Sequence, residues 1–142
     1  MGIENRFWRV RHKNRFLLEV MRHLAGNAQI SFEGGSEIVG LAEIPGASQI
    51  ETSVLKRNTL APRLEFVVVP LEISTIPAIF AGIGGTIPKS VLHILIEKNG
   101  QLEFGAYDNF HPECIVLGPA TSGAALESLI SKGLLVQVGT QR

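Results

Sequence analysis

The stretch SVLHILIEKNGQLEFGAY, residues 90–107, contains the clearest local structural signal in the chain. Two largely apolar runs, residues 90–98 and 101–107, flank the dipeptide Asn99-Gly100. Asn-Gly between apolar runs is the strongest short-range indication of a two-residue β-hairpin turn. The sequence therefore predicts an antiparallel hairpin in which Lys98 pairs with Gln101.

Counting outward from this turn predicts which side chains of the hairpin share a face. An uninterrupted ladder places Leu95 opposite Phe104 and Ile96 opposite Glu103. Both faces then carry apolar side chains, which is typical of a strand in the middle of a sheet that is covered on both sides. A carboxylate at Glu103 on such a strand requires an explanation.

A helix is predicted upstream, where apolar residues recur at helical spacing between Phe16 and Leu24. Asn14 is placed to cap its first turn, and Gly26 follows its last turn as a stop signal. Alternating bulky and polar residues predict a strand on either side, over residues 7–11 and 28–33. In the second strand Glu33 is predicted to face away from the core.

The remaining elements complete an α+β fold with a mixed, largely antiparallel sheet and about three helices. Residues 34–62 are rich in glycine and proline, and we expect loops there around one or two short strands near residues 49–55. The other predicted elements are strands at 64–71, 114–117 and 134–138 and helices at 75–83 and 123–131. We expect residues 1–142 to form a single compact domain.

Composition narrows the class of protein. Hydrophobic residues make up 45% and charged residues 18% of 142 residues, which favours a folded chain over a disordered one. The apolar runs are too short to span a bilayer, and the first residues lack the apolar core of a secretory signal, so we expect no membrane association. Because Cys114 is the only cysteine, no intrachain disulfide can form, and we expect a reducing, cytoplasmic location.

Charge is unevenly distributed along a chain whose formal net charge is zero. Residues 1–25 carry a net charge of plus four, whereas residues 64–118 carry minus four. Such a charge asymmetry indicates what kind of partner the chain would bind, and it says little about the fold. It favours a protein partner that presents a basic surface to the acidic part of the chain.

The segment that follows the hairpin is the best candidate for a binding surface. It concentrates aromatic, acidic, amide and imidazole groups, which are residue types common in binding surfaces and reactive sites. With the neighbouring glutamate of the hairpin, the candidate binding residues are Glu103, Tyr107, Asp108, Asn109, Phe110, His111 and Glu113. The alternative is a structural turn, closed by Asp108 or Asn109 and left at Pro112.

We expect a small non-catalytic protein-binding domain, either immunity- or antitoxin-like or a regulatory partner, in which Tyr107 and Phe110 anchor the contact. One alternative is a small hydrolase or isomerase in which Asp108, His111 and Glu113 bind a metal or act as acid and base. No familiar catalytic or cofactor-binding motif supports that alternative, and no cofactor is implied.

A second alternative is nucleic-acid binding through the basic N-terminal stretch. There Phe7 and Trp8 lie among arginines, and aromatic rings between cations can stack on bases. The zero net charge of the whole chain argues against a dedicated nucleic-acid binder.

Two further residues are expected to have structural roles. His93 is predicted to be a hydrogen-bonded histidine of a half-buried strand, and Cys114 an inert thiol in an apolar strand.

Overall fold

Seven strands and three α-helices succeed one another in the computed structural model, which describes residues 6–140. Short 3-10 helices lie between them at Ser36–Glu43, Ile73–Thr75 and Pro112–Cys114. In chain order the main elements are β1 (Arg6–Val10), α1 (Lys13–Leu24), β2 (Ala28–Gly34), β3 (Glu65–Leu71), α2 (Ile76–Gly82), β4 (His93–Lys98), β5 (Gln101–Ala106), β6 (Ile115–Leu117), α3 (Ala124–Ser131) and β7 (Leu135–Thr140).

The strands form two sheets, and every pairing between the described strands is antiparallel. Five of them make a sheet in the order β3-β2-β4-β5-β6, while β1 and β7 pair separately as a two-stranded ribbon. The α+β class is confirmed. The last predicted strand is also present, and it pairs with the first strand.

Both faces of the five-stranded sheet are covered. On one face the helices pack against the sheet in the main core, where the ring centroid of Phe16 lies 5.7 Å from that of Phe104. On the other face Leu55, which is fully buried, packs with Phe66, Val68 and Leu95. We call residues 47–64, which carry Leu55 over this second face, the covering loop.

The covering loop is less regular than the sequence indicated. No strand forms over residues 49–55, and the nearest ladder contact in this part of the structure is a single antiparallel bridge between Ser48 and Val68. The upstream part of the same region folds into the 3-10 helix Ser36–Glu43. The alternating residues near residue 50 thus form no β-strand, and Leu55 is buried although its backbone belongs to no sheet.

Helix α1 begins differently from the prediction. Lys13 is its first residue, and His12 occupies the preceding position with a left-handed φ of 52° and no side-chain cap. Asn14 is therefore not the cap; its amide oxygen accepts a hydrogen bond from the backbone N–H of Ile87 at 2.7 Å. The predicted stop is correct, because Gly26 has a φ of 102°, a conformation that glycine adopts without steric cost.

The hairpin is confirmed, with Asn99 and Gly100 both at positive φ and Lys98 paired with Gln101. Its predicted register is wrong beyond the first pairs. Ile96 pairs with Phe104 rather than with Glu103, because β5 contains an irregularity that leaves Glu103 as an extra residue. Such a bulge shifts every later residue of the strand to the opposite face. Phe104 consequently enters the main core instead of sharing a face with Leu95.

None of the helices described between residues 6 and 140 is long and apolar enough to cross a bilayer.

Candidate functional site

Residues 107–113, here called the polar turn, connect β5 to β6 with an unusual backbone. Asp108, Asn109 and Phe110 have φ values of 53°, 54° and 61°, so three successive non-glycine residues are left-handed. Each such residue costs about 1–2 kcal/mol relative to the right-handed region, and left-handed residues normally occur singly. The conformation must therefore be maintained by contacts with the rest of the fold.

Those contacts are hydrogen bonds to the start of β4 and within the turn itself. The backbone N–H of Asp108 donates to Nδ1 of His93 at 3.1 Å, and that of Asn109 donates to the carbonyl of Leu92 at 2.7 Å. At the other end the N–H of Glu113 donates to Nδ1 of His111 at 3.1 Å. The strained residues are thus anchored to the start of β4, and a local hydrogen bond closes the part of the turn that follows them.

The N-terminal end of α1 also holds the polar turn. Nζ of Lys13 donates to Oδ1 of Asn109 at 3.2 Å and lies 5.3 Å from the ring centroid of Phe110. The Phe110 ring meets that of Phe16 edge-on at 6.2 Å. The basic and acidic stretches that lie far apart in sequence are therefore neighbours in the fold, and β1 also packs beside the 3-10 helix Pro112–Cys114.

Two of the predicted binding residues are buried. Glu103 is only 4% exposed, and its Oε1 accepts a hydrogen bond from the N–H of Ala120 at 2.6 Å. Phe110 is 6% exposed and belongs to the main core. In this conformation neither side chain is available to a partner, and both stabilise the fold around the polar turn.

The other predicted residues lie at or near the surface. Asp108, His111 and Glu113 are exposed, and Asn109 is half-buried. Tyr107 is also half-buried, with its ring centroid 5.7 Å from that of His93, and burial raises the pKa of its hydroxyl. The structure therefore brings together an exposed trio of two carboxylates and an imidazole on a rigid backbone.

This trio does not form a metal centre. Among the residues that the structure describes, no three histidine, cysteine, aspartate or glutamate side chains are placed to hold a metal ion. Nδ1 of His111 already accepts the Glu113 N–H, which leaves only its other nitrogen for chemistry. Asp108, His111 and Glu113 thus share a turn without converging on a common ion.

A pair that the sequence did not reveal lies directly beneath the polar turn. Oγ1 of Thr59, in the covering loop, is 2.9 Å from Nε2 of His93, a separation typical of a hydroxyl nucleophile and its base. However, Nδ1 of the same ring accepts from a backbone N–H, which can only donate, so Nδ1 carries no proton. The neutral ring then carries its proton on Nε2 and donates to Thr59. In this tautomer the ring is not a base for that hydroxyl.

Glu33 extends this network into the covering loop. It is 2% exposed, and its two carboxylate oxygens accept the N–H groups of Asn58 at 2.8 Å and Thr59 at 3.1 Å. Because Glu33 pairs with His93 across β2 and β4, a continuous chain of contacts joins the covering loop to Asp108. Glu33 lies, as the alternation predicted, on the face of β2 opposite Ala28, Ile30 and Phe32, but the covering loop buries it there. The loop residues that bind it lie 25 and 26 positions further along the chain.

In the basic N-terminal stretch, the largest aromatic ring, that of Trp8, is not exposed to solvent. Trp8 is 4% exposed and belongs to the main core, and Phe7 is half-buried. Arg9, Arg11 and Arg15 are exposed. The stretch therefore offers cations to solvent but not the indole that base stacking would use.

A polar depression of about 510 Å³ lies at the far end of β4, away from the polar turn. It is open to solvent, and Oε1 of Glu97 at its wall accepts a hydrogen bond from the Thr52 hydroxyl at 3.0 Å. Its lining residues are Asn27, Ala28, Gln29, Pro70, Glu72, Glu97, Asn99 and Gly100.

No protein-family model matches the chain, and no curated protein or solved structure matches it significantly. Inferences about function therefore rest on the geometry of the chain itself.

Proposed function

We propose that the chain is a small non-catalytic protein-binding domain, either immunity- or antitoxin-like or a regulatory partner, that contacts its target through the polar turn. The observation that supports this most is the run of left-handed residues from Asp108 to Phe110. Backbone strain that is maintained by many surrounding contacts is concentrated at functional sites. A plain connection between β5 and β6 would not require it.

The geometry of the polar turn also suits recognition. Its backbone is held by His93, Leu92 and Lys13, so little conformational entropy remains to be lost on binding. Asp108 and Glu113 are exposed, and neither forms an ion pair with a side chain that the structure describes. Two exposed carboxylates fit a target that presents basic groups, as the charge pattern of the sequence predicts.

The structure changes the role of the aromatic residues in this proposal. Phe110 supports the polar turn from the core, so the only aromatic contact surface left in the turn is the half-exposed edge of Tyr107. The binding energy would then come mainly from polar and charged contacts around a rigid backbone. Cys114 is a free, half-buried thiol, which supports a reducing compartment such as the cytoplasm.

The test is a comparison of variants of equal charge in a capture experiment. The chain is immobilised and exposed to native lysate of its source cells, or to the product of an adjacent gene, as wild type, as Asp108→Asn/Glu113→Gln and as Glu43→Gln/Glu127→Gln. Glu43 and Glu127 are exposed and lie outside the polar turn. We expect the first double variant to retain a specific partner about fivefold less well, and the second to equal wild type. Equal capture by both double variants would overturn the proposed surface.

The two alternatives lack a comparable observation. An acid–base or metal enzyme requires the three groups of the polar turn to converge, and a Thr59 nucleophile requires the other His93 tautomer. A nucleic-acid surface on the basic stretch would have to act without Trp8.

A further inference from the structure

Two imidazole rings accept backbone hydrogen bonds at the two ends of the polar turn. Nδ1 of His93 accepts from Asp108, and Nδ1 of His111 accepts from Glu113, each at 3.1 Å. A backbone N–H cannot accept, so both bonds require that Nδ1 carries no proton. The same chemical condition therefore applies at both ends of one strained segment.

We propose that His93 and His111 form a pH-sensitive latch that holds the polar turn in its left-handed conformation at neutral pH and releases it in mild acid. Histidine is the side chain whose charge ordinarily changes between pH 5 and 8. The inference rests on the proposed function only for its biological meaning, which is control of binding by pH. The latch itself is a property of the free chain.

Protonation of Nδ1 would leave two hydrogen-bond donors, the ring N–H and the backbone N–H, facing each other in place of each hydrogen bond. A proton on Nδ1 of His93 would point at the N–H of Asp108, so this contact would change from attractive to repulsive. The left-handed residues would then depend on the Asn109 N–H bonded to Leu92 and on Lys13. Because left-handed backbone is itself unfavourable, loss of an anchor favours rearrangement of the turn.

The groups that face His93 come from three directions. Glu33 pairs with it from β2, the Tyr107 ring lies 5.7 Å away, and Thr59 contacts Nε2 from the covering loop. Asp108, whose backbone N–H bonds to Nδ1, carries an exposed carboxylate. Glu33 also accepts the backbone N–H of Thr59, which keeps that residue fixed against Nε2.

His111 has a different environment. It is exposed, and the carboxylates of its own segment, Asp108 and Glu113, are its acidic neighbours. From β1, which packs beside Pro112–Cys114, the charged side chain described is Arg9, while Lys13 approaches the turn from α1. The two rings of the latch therefore lie in unlike surroundings.

The latch can be tested by NMR on the free protein. Long-range ¹H–¹⁵N correlation reports which ring nitrogen carries the proton, and we expect the Nε2–H tautomer for both rings at pH 7.5. Amide exchange at Asp108 and Glu113, corrected for its intrinsic pH dependence, is expected to become about tenfold faster at pH 5.5. An Nδ1–H tautomer of His93 at pH 7.5, or protection of both amides that is unchanged by pH, would overturn the latch.

Substitution by asparagine separates titration from hydrogen bonding. The Oδ1 of asparagine occupies roughly the place of Nδ1, and it accepts a hydrogen bond without titrating. We expect His93→Asn to remove the pH dependence at Asp108, and His111→Asn to remove it at Glu113. His23→Asn, at an exposed position near the end of α1, is expected to behave as wild type. Should His93→Asn fail to fold, the tautomer and the pH dependence of amide exchange in wild type decide the question together.

The two proposals fail in different ways. A chain that shows the exchange change but captures no partner through Asp108 and Glu113 overturns the proposed function alone. A chain that captures a partner through these residues, yet has amides insensitive to pH, overturns the latch alone.

Discussion

The carboxylate of Glu33 accepts the backbone N–H of Thr59 at 3.1 Å, and its other oxygen accepts that of Asn58 at 2.8 Å. One buried side chain on β2 thus fixes part of the covering loop. This loop in turn places the Thr59 hydroxyl against His93. The position of the Thr59 hydroxyl therefore depends on Glu33, a residue for which no direct contact with the polar turn is described.

Removal of the Glu33 carboxylate should destabilise the chain. Glu33→Ala leaves the N–H groups of Asn58 and Thr59 without their carboxylate acceptor, and we expect a loss of about 3 kcal/mol in the free energy of unfolding. Glu43→Ala, at an exposed position, should change it by less than about 0.5 kcal/mol. Urea denaturation measures both. A Glu33→Ala loss no larger than that of Glu43→Ala would show that the covering loop does not depend on this contact.

A methyl group at Gly118 should be poorly tolerated. An added Cβ would lie 2.5 Å from the Leu102 carbonyl oxygen and 2.6 Å from Oε1 of Glu103, which is held by Ala120. We expect Gly118→Ala to cost about 2–4 kcal/mol. At Gly40 the nearest atom is 3.2 Å away, so Gly40→Ala should cost clearly less. Thermal unfolding of the two variants tests the difference, and equal melting temperatures would contradict it.

Lys98 should stabilise the end of α1. Its Nζ donates to the carbonyls of Leu24, Ala25 and Gly26 at 3.1, 3.2 and 2.5 Å, where the helix presents unpaired acceptors and partial negative charge. We expect Lys98→Met to lower the free energy of unfolding by about 1–2 kcal/mol. Lys89→Met, at an exposed site, serves as the control. Amide exchange in the last turn of α1 should rise only in the first variant; an equal rise in both would argue against the cap.

The contact between Glu19 and Lys132 predicts a pH-dependent stability. A hydrogen bond from Lys132 at 2.7 Å is the main cause that lowers the pKa of Glu19 below its ordinary 4.5, while burial opposes it. The contribution is therefore present above pH 4.5 and is lost as pH falls through the lower folded pKa. We expect Lys132→Met to cost less than about 1 kcal/mol at pH 7 and nothing near pH 2.

Carboxyl chemical shifts followed by NMR would report the same contact directly. The Glu19 titration should move up in Lys132→Met and remain in place in Lys56→Met, whose side chain is exposed. An unmoved Glu19 midpoint in Lys132→Met would contradict the assigned cause.

The elements that the sequence predicted correctly are those determined by short-range chemistry. Asn99-Gly100 fixes a hairpin turn through two positive φ values, and Gly26 ends α1 for a similar reason. Apolar spacing places Phe16 and Leu24 on the buried face of that helix. Each of these features depends on residues within a few positions of one another, so it can be predicted from a single sequence.

The parts that could not be predicted depend on partners far along the chain. Asn14 leaves the cap position because Ile87 offers its N–H, and Glu33 is buried because Asn58 and Thr59 fold over it. In the candidate site, composition identified the polar turn but could not distinguish buried Phe110 from exposed Asp108. That distinction requires the position of α1, which only the tertiary fold supplies.

Because Glu103 is an extra residue in β5, the fold constrains the number of residues in this strand as strongly as it constrains their types. Deletion of one residue from this strand would restore an even ladder with β4, yet it would exchange the faces of the residues that connect the core to the polar turn. Homologous chains should therefore vary in length within the covering loop, which has no ladder to keep in register. Between the hairpin turn and Tyr107 they should vary only by substitution.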